Sequence, residues 1–220
     1  MRASTGLAGA CAAGFVITAG EVLAKGPLKR LDDRIALHYW RYLVQHGFRI
    51  EGTSVRTAHW LQLIGKPWVA CLVVGCLGLV STLRSRRLGP ALAATIGLGI
   101  AGASTWIFKT FFPQPSIDQH LGGSFPSGHT CVAVVSAGLV VAYVAERTQH
   151  RDLFALVAGA LWGALMAWGR LVMLAHWFSD VIAGWCLGMV ALVFALRVLD
   201  SRLTWSDLSP GWRALLRSRS

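Results

Sequence analysis

Long apolar stretches with at most one charged residue each, separated by more polar segments, dominate the hydrophobic pattern of the chain. Six of them approach the roughly 20 residues that an α-helix needs to cross a bilayer. They lie at about residues 6–24, 61–83, 88–108, 128–145, 153–170 and 177–196. The pattern predicts an all-α integral membrane protein, a bundle of six transmembrane helices with both termini on the same side of the membrane.

The segment 25–59 follows a different pattern. It is too polar to span a membrane, yet apolar residues recur in it at helical spacing. These residues are Leu31, Ile35, Tyr39, Tyr42 and Leu43. We expect an interfacial amphipathic helix after the first span, with the adjacent Asp32 and Asp33 on its wet face.

Two readings of the N-terminal stretch remain open. Arg2 precedes an apolar run with small residues, as in a cleavable signal peptide, but the uncharged stretch from Ala3 to Gly20 is long for one and favours a retained first span. No internal repeat or proline-rich linker divides the chain, so we expect a single membrane domain over 1–220. It ends in a basic tail, 197–220, with a second interfacial helix predicted to start at Ser209-Pro210.

Composition supports a membrane protein and charge orients it. Hydrophobic residues make up 55% of the chain and charged residues 14%, against about 25% charged in soluble domains. The net charge of +11 fits the positive-inside rule and attraction to anionic lipid better than it fits nucleic acid. Clusters at Arg84–Arg87 and in the tail predict cytoplasmic termini. The five cysteines lack the spacing of a metal site, and we expect no metal.

Unusual polar residues collect in the short loops on the opposite side. They are Lys109, Pro126, Ser127, Gly128, His129, Arg170, His176 and Asp180. Charged groups this close to hydrocarbon are costly and usually functional. Ser127 and Gly128 precede an apolar helix, whose N-terminus favours a phosphate. Lys109 and Arg170 supply matching cations.

Two histidines and a carboxylate complete the pattern. His176 and Asp180 are four residues apart and share one helical face. The carboxylate can fix the tautomer of the ring, leaving the other ring nitrogen as a nucleophile. His129 can protonate a leaving oxygen. These residue types predict a phosphoryl-transfer site without a metal.

P-S-G-H at residues 126–129, followed by R-x5-H-x3-D from Arg170 to Asp180, resembles the type 2 phosphatidic acid phosphatase (PAP2) family, whose superfamily includes vanadium haloperoxidases. The resemblance implies a six-helix enzyme of the bacterial inner membrane, with its site facing the periplasm or cell exterior and no cofactor. It implies His176 as a nucleophile that forms a phosphohistidine, Asp180 as its orienter, and His129 as general acid and base. The residues implied to hold phosphate are Lys109, Ser127, Gly128 and Arg170.

Two positions depart from the family pattern. Gly169 stands where the family usually has serine, with its backbone N–H as a further candidate contact. Counting from Lys109, the Arg-Pro of the first motif, K-x6-R-P, falls on Ser116-Ile117, so one phosphate-binding arginine is missing. Gln114 can donate hydrogen bonds in its place, but losing a charge-assisted contact costs about 1.5–3 kcal/mol. We therefore expect reduced or retuned activity.

The expected function is a metal-independent lipid phosphatase. The resemblance implies undecaprenyl diphosphate, phosphatidylglycerol phosphate, phosphatidic acid or a lipid A phosphate as substrate. Two alternatives stay open: a phosphotransferase that passes the phosphoryl group to a second lipid, and a non-catalytic lipid-phosphate binder or transporter, which the substitution at Ser116 motivates.

Overall fold

Helices account for nearly all of the chain that the computed structural model describes, residues 2–45, 52–112, 114–115, 117, 123–201 and 203–204. Within these ranges there are eight helices and no strand. The helices are α1 (Arg2–Leu23), α2 (Pro27–Gln45), α3 (Thr53–Ile64), α4 (Pro67–Ser85), α5 (Gly89–Phe111), α6 (Gly128–Val144), α7 (Arg151–Val172) and α8 (Phe178–Leu199). The predicted all-α membrane bundle is confirmed.

Five of these helices, α1, α4, α5, α7 and α8, are long and apolar enough to cross a membrane. The sixth predicted span is α6, which is apolar but has 17 residues. Length and composition therefore support five spans directly, and the count of six stays a prediction. Helix α1 packs against α8 around the buried Cys11 and Cys186.

The predicted interfacial segment contains two helices rather than one. Helix α3 ends at Ile64, where the N–H of Gly65 donates to Leu61 O, and α4 begins at Pro67. Proline has no N–H to donate and fits the first turn of a helix, so it separates the two. The second span therefore starts at Pro67 and not at residue 61 as predicted. Helix α3 packs on α7 with Ala58 and Leu61 buried.

The centre of the bundle is formed by α6 and α8. Helix α6 contacts α4, α5, α7 and α8, and α8 also contacts α1 and α5. Small residues let these helices approach closely, as in other membrane bundles. Leu192 of α8, for example, packs against the backbone at Gly138 of α6 and Gly159 of α7. A helix that is buried on nearly all sides needs apolar residues on all sides. This explains why the apolar residues of α6 are distributed around the whole helix and not along one face.

Four phenylalanines fix the chain where it enters α6. Phe125 stacks on Phe112 with ring centroids 4.5 Å apart, and Phe15 meets Phe108 edge-on at 4.9 Å. Phe125 is fully buried. Aromatic side chains from α1 and from the end of α5 thus hold the segment immediately before Pro126 in place.

The C-terminal boundary differs from the prediction. Helix α8 continues to Leu199, so Arg197 belongs to it and not to the tail; its guanidinium donates to Thr5 Oγ1 at 2.7 Å. The helix predicted at Ser209-Pro210 lies outside the described residues.

Candidate active site

The loop between α5 and α6 carries the first part of the site. Lys109 lies half-buried in the last turn of α5. Beyond it, Gln114 O accepts a hydrogen bond from Ser124 N at 2.9 Å, and Pro115 forms an isolated β-bridge with Gly123. These contacts bring the chain from the end of α5 to the start of α6. Ser116, the position of the missing arginine, lies outside the described residues.

Ser127 caps α6 and ties it to α8. Its Oγ accepts hydrogen bonds from Thr130 N at 3.5 Å and from Thr130 Oγ1 at 3.1 Å. Its N–H donates to Asp180 O at 2.9 Å. Ser127 is fully buried, so the structure gives it a capping role, whereas Gly128 and His129 in the first turn are only half-buried. The N-termini of α6 and α8 therefore meet at one place.

His176 and Asp180 form the predicted pair. His176 Nδ1 lies 3.1 Å from Asp180 Oδ2, and both residues are buried. Asp180 Oδ2 also accepts from Trp177 N at 3.1 Å, which closes the first turn of α8. Because the carboxylate accepts the Nδ1 proton, the lone pair of the ring is placed on Nε2. The tautomer is the one that a nucleophilic histidine requires.

The electrostatic surroundings of His176 favour its neutral form. Burial lowers the pKa of His176 below its ordinary value of 6.5, and the positive charges of Arg170 and Lys109 lower it further. The hydrogen bond and charge of Asp180 act in the opposite direction. The balance keeps the ring neutral around pH 7, which is the form that can attack phosphorus.

The remaining predicted residues gather around this pair. Arg170 is buried in the last turn of α7. His129, Arg170, His176 and Lys109 lie close enough for their charges to interact. Three helix ends, those of α5, α6 and α7, thus converge on His176. Within the described ranges, no group of three His, Cys, Asp or Glu side chains could hold a metal ion.

Gln114 does not have the position expected for a phosphate ligand. Its Nε2 donates to Asp180 Oδ1 at 2.8 Å and contacts Ser179 Oγ at 3.2 Å. Both amide hydrogens are therefore used inside the protein, on the far side of Asp180 from His176. Gly169, the other departure, is buried, and a Cβ there would lie 3.8 Å from Leu61 Cβ, an ordinary contact. A serine would fit at this position.

Asp32 lies next to the candidate site, a position that the sequence analysis did not predict. We expected it on the wet face of α2, but its side chain is buried. Its Oδ1 accepts from Ser179 N at 3.0 Å and its Oδ2 from Ser179 Oγ at 2.6 Å. Asp33 is the exposed member of the pair and binds Lys29 at 2.6 Å. Burial raises the pKa of Asp32, while the hydrogen bonds from Ser179 lower it.

Comparisons with known proteins agree with this architecture. Residues 69–203 match the sequence model of the PAP2 superfamily. A PA-phosphatase related-family protein of Dictyostelium discoideum is 28% identical over 91 residues, which cover 38% of this chain and 27% of that protein. The chain thus spans about a quarter of the length of this curated relative.

The fold is similar to the crystal structure of a transmembrane PAP2 type phosphatidylglycerolphosphate phosphatase from Bacillus subtilis. The TM-score is 0.70 at 14% sequence identity, and the match covers 86% of this chain and 94% of that one. At this identity the likeness is one of fold.

Proposed function

The chain belongs to the PAP2 superfamily, and on that premise we propose that it is a membrane phosphatase that removes phosphate from a lipid phosphate or diphosphate without a metal ion. The observation that carries the proposal is the His176–Asp180 pair, 3.1 Å apart and buried. It stands among two cations and the N-terminus of α6. This combination supplies a nucleophile and a phosphate cradle at one place.

In the first step, His176 Nε2 attacks phosphorus. The N–P bond forms as the bond from phosphorus to the leaving oxygen breaks, and His129 gives its proton to that oxygen. Asp180 stabilises the positive charge that develops on the ring of His176. The product lipid leaves, and the phosphoryl group remains on His176.

In the second step, water hydrolyses the phosphohistidine. His129, now neutral, accepts a proton from the water as its oxygen attacks phosphorus. The P–N bond breaks, inorganic phosphate is formed and His176 is regenerated. One residue thus serves as acid and then as base, as microscopic reversibility requires.

Electrostatic stabilisation of the transferred group comes from Lys109, Arg170 and the N–H groups at the start of α6. Charge builds on the equatorial oxygens, and positioned cations and helix N-termini stabilise it. The Arg170 guanidinium is buried, which strengthens its interaction with a phosphate oxygen. Ser127 acts mainly by holding the first turn of α6 in place.

The apolar surroundings favour a lipid substrate and an outward-facing site. Arg84–Arg87 and Arg147 lie at the other end of the bundle. Basic residues of the interfacial segment, such as Arg30 and Arg34, oppose this orientation, but the positive-inside rule favours the cytoplasm for the end that carries both termini. The site then faces the periplasm or cell exterior of a bacterial inner membrane. Among lipids that reach this face we rank undecaprenyl diphosphate first, ahead of phosphatidylglycerol phosphate, phosphatidic acid and lipid A phosphates.

The test is phosphate release by the purified protein in detergent and EDTA, measured over these four lipids. His176→Ala serves as the matched inactive variant. We expect release from at least one lipid and none from the variant. Release that requires an added acceptor lipid would instead favour a phosphotransferase. Binding without release from any lipid would overturn the phosphatase and favour a binder or transporter.

A further inference from the structure

A continuous chain of hydrogen bonds joins the surface helix α2 to the nucleophile. It runs from Asp32 to Ser179, then to Gln114, Asp180 and His176, with contacts of 2.6, 3.2, 2.8 and 3.1 Å. We propose that Asp32 is a positioning residue of the site, which fixes the direction of these hydrogen bonds and so holds the Asp180–His176 pair. The inference rests on the proposed function.

The donors and acceptors leave one arrangement. Ser179 has a single hydroxyl hydrogen, and an ionised Asp32 can only accept, so the hydroxyl donates to Asp32 Oδ2. The lone pairs of Ser179 Oγ then face the amide of Gln114 and accept from Nε2. The second Nε2 hydrogen is left for Asp180 Oδ1. A carboxylate at each end therefore makes the amide present Nε2, not Oε1, to Asp180.

Burial makes this arrangement matter. Asp32, Gln114, Ser179 and Asp180 are each at most 3% exposed, so water does not compete for their hydrogen bonds. In such surroundings a hydrogen bond is strong. The observed arrangement leaves Gln114 Oε1 without a hydrogen-bond partner in the described part of the chain, whereas the reversed amide would set that oxygen against the Asp180 carboxylate. The direction chosen at Asp32 is thereby transmitted to Asp180.

The face that Asp32 occupies also points to a specific role. The apolar Leu31 and Ile35 on the same helix are 42% and 43% exposed, as suits residues that face lipid. Asp32 instead points inward and accepts two hydrogen bonds from Ser179, the residue directly before Asp180. A buried carboxylate is costly unless it is fully paired. Here both of its oxygens are paired at the first turn of α8.

Asp32→Asn is the diagnostic variant, because it keeps the shape of the side chain and replaces one acceptor, Oδ2, with a donor. The asparagine Oδ1 can still accept from Ser179 N, but its Nδ2 would donate toward Ser179 Oγ. The Ser179 hydroxyl would then turn toward Gln114 and favour the flipped amide, which presents Oε1 to the Asp180 carboxylate. Asp180 would lose a donor and shift relative to His176.

Asp33→Asn is the matched control, since it removes a carboxylate from the neighbouring position, where the side chain is exposed and forms a salt bridge with Lys29. The assay uses the lipid that is hydrolysed fastest in the panel above. We expect Asp32→Asn to lower kcat roughly 10- to 100-fold with little change in KM, because misplacing a reactive group by up to about an ångström has an effect of this size on the rate. The inhibition constant for vanadate, which binds as the transferred phosphoryl group does, should rise in parallel. Asp33→Asn should leave these values unchanged.

Two further comparisons separate positioning from folding. Ser179→Ala removes only the hydroxyl and should reproduce the loss of kcat. It also leaves Asp32 Oδ2 without this donor, so its melting temperature should fall, and activities are compared well below the melting temperature of every variant. Ser179→Thr, which keeps the hydroxyl, should restore most of the activity. Asp32→Asn and Gln114→Leu, at residues that both bind Ser179 Oγ, should give a double variant no worse than the poorer single variant.

Equal kcat for Asp32→Asn and Asp33→Asn, or losses that multiply in the double variant, would overturn the inference. So would a loss of kcat that follows the melting temperature across all the variants. Failure of the proposed function is distinguishable from these outcomes, because the unsubstituted protein would then release no phosphate from any lipid, or His176→Ala would release it as fast as the unsubstituted protein does.

Discussion

Gly184 offers the sharpest test of how α8 and the loop before α6 are joined. A Cβ at this position would meet the carbonyl oxygen of Ser127, about 1 Å short of the 3.4 Å at which ordinary contact begins. The obstacle is backbone, which cannot rotate away. In Gly184→Ala the loop must therefore retreat from α8, stretching the 2.9 Å hydrogen bond from Ser127 N to Asp180 O.

The expected loss follows from that displacement. His129 lies two residues after Ser127 and His176 lies eight residues before Gly184, so the two histidines separate by a comparable distance. A misplacement of about 1 Å costs about 100-fold in rate, or about 2.7 kcal/mol of transition-state stabilisation. Overpacking lowers the free energy of unfolding as well, by about 1–3 kcal/mol.

Gly188→Ala separates the two effects. This glycine lies one turn further along α8, where a Cβ would come within 2.8 Å of Cys131 O, so the variant overpacks the same helix pair away from the histidines. Phosphate release and thermal unfolding are measured on both variants and on Gly102→Ala, where a Cβ has no neighbour within 4 Å. We expect Gly184→Ala to lose far more activity than Gly188→Ala at similar stability. Equal activity losses in the two, or full activity in Gly184→Ala, would refute the reasoning.

Three further predictions concern the chemistry of the site. Because Asp180 raises the pKa of His176 against the effect of burial, Asp180→Asn should lower the maximal rate and move the acid limb of the kcat/KM profile to lower pH; a limb that moves to higher pH would contradict this sign. Vanadate should inhibit phosphate release and EDTA should leave it unchanged, whereas recovery of an EDTA-treated enzyme only on adding a divalent metal would rule out the metal-free mechanism. Gly169→Ser should retain activity and melting temperature, because its Cβ would have no neighbour closer than 3.8 Å; a loss as large as that of Gly184→Ala would show that the glycine backbone is required there.

Much of the fold could be predicted because membrane helices are defined by long apolar runs, which are visible in the sequence alone. The boundary between α3 and α4 could also have been found, since Gly65 and Pro67 are ordinary signals for a helix end and a helix start. The apolar run around them, interrupted only by Lys66, concealed these signals. It also concealed the fact that α3 is a separate helix after α2 and before the second span.

The predicted exposure of Asp32 was wrong because the polar face of a helix at a membrane surface does not always face water. In a soluble protein the polar face of a helix points to solvent. On α2 the apolar Leu31 and Ile35 point away from the protein, and Asp32 points into it. Nothing local in the sequence distinguishes Asp32 from Asp33.

The position of Gln114 could not be predicted for a related reason. Its partner Asp180 is 66 residues away in the chain, and the partner of Asp32, Ser179, is 147 residues away. Motif spacing identifies side chains that share a helix turn, such as His176 and Asp180. It carries no information about which buried amide or carboxylate from a distant segment will meet them.

In the proposed mechanism His176 carries the phosphoryl group, and trapping this phosphohistidine is the most direct experiment. The enzyme is mixed with the best lipid of the panel, radiolabelled in its phosphate, and quenched in alkali, where the P–N bond of phosphohistidine survives. We expect label on the peptide that contains His176, and none in His176→Ala. Label on a different residue, or undiminished turnover by His176→Ala, would contradict it.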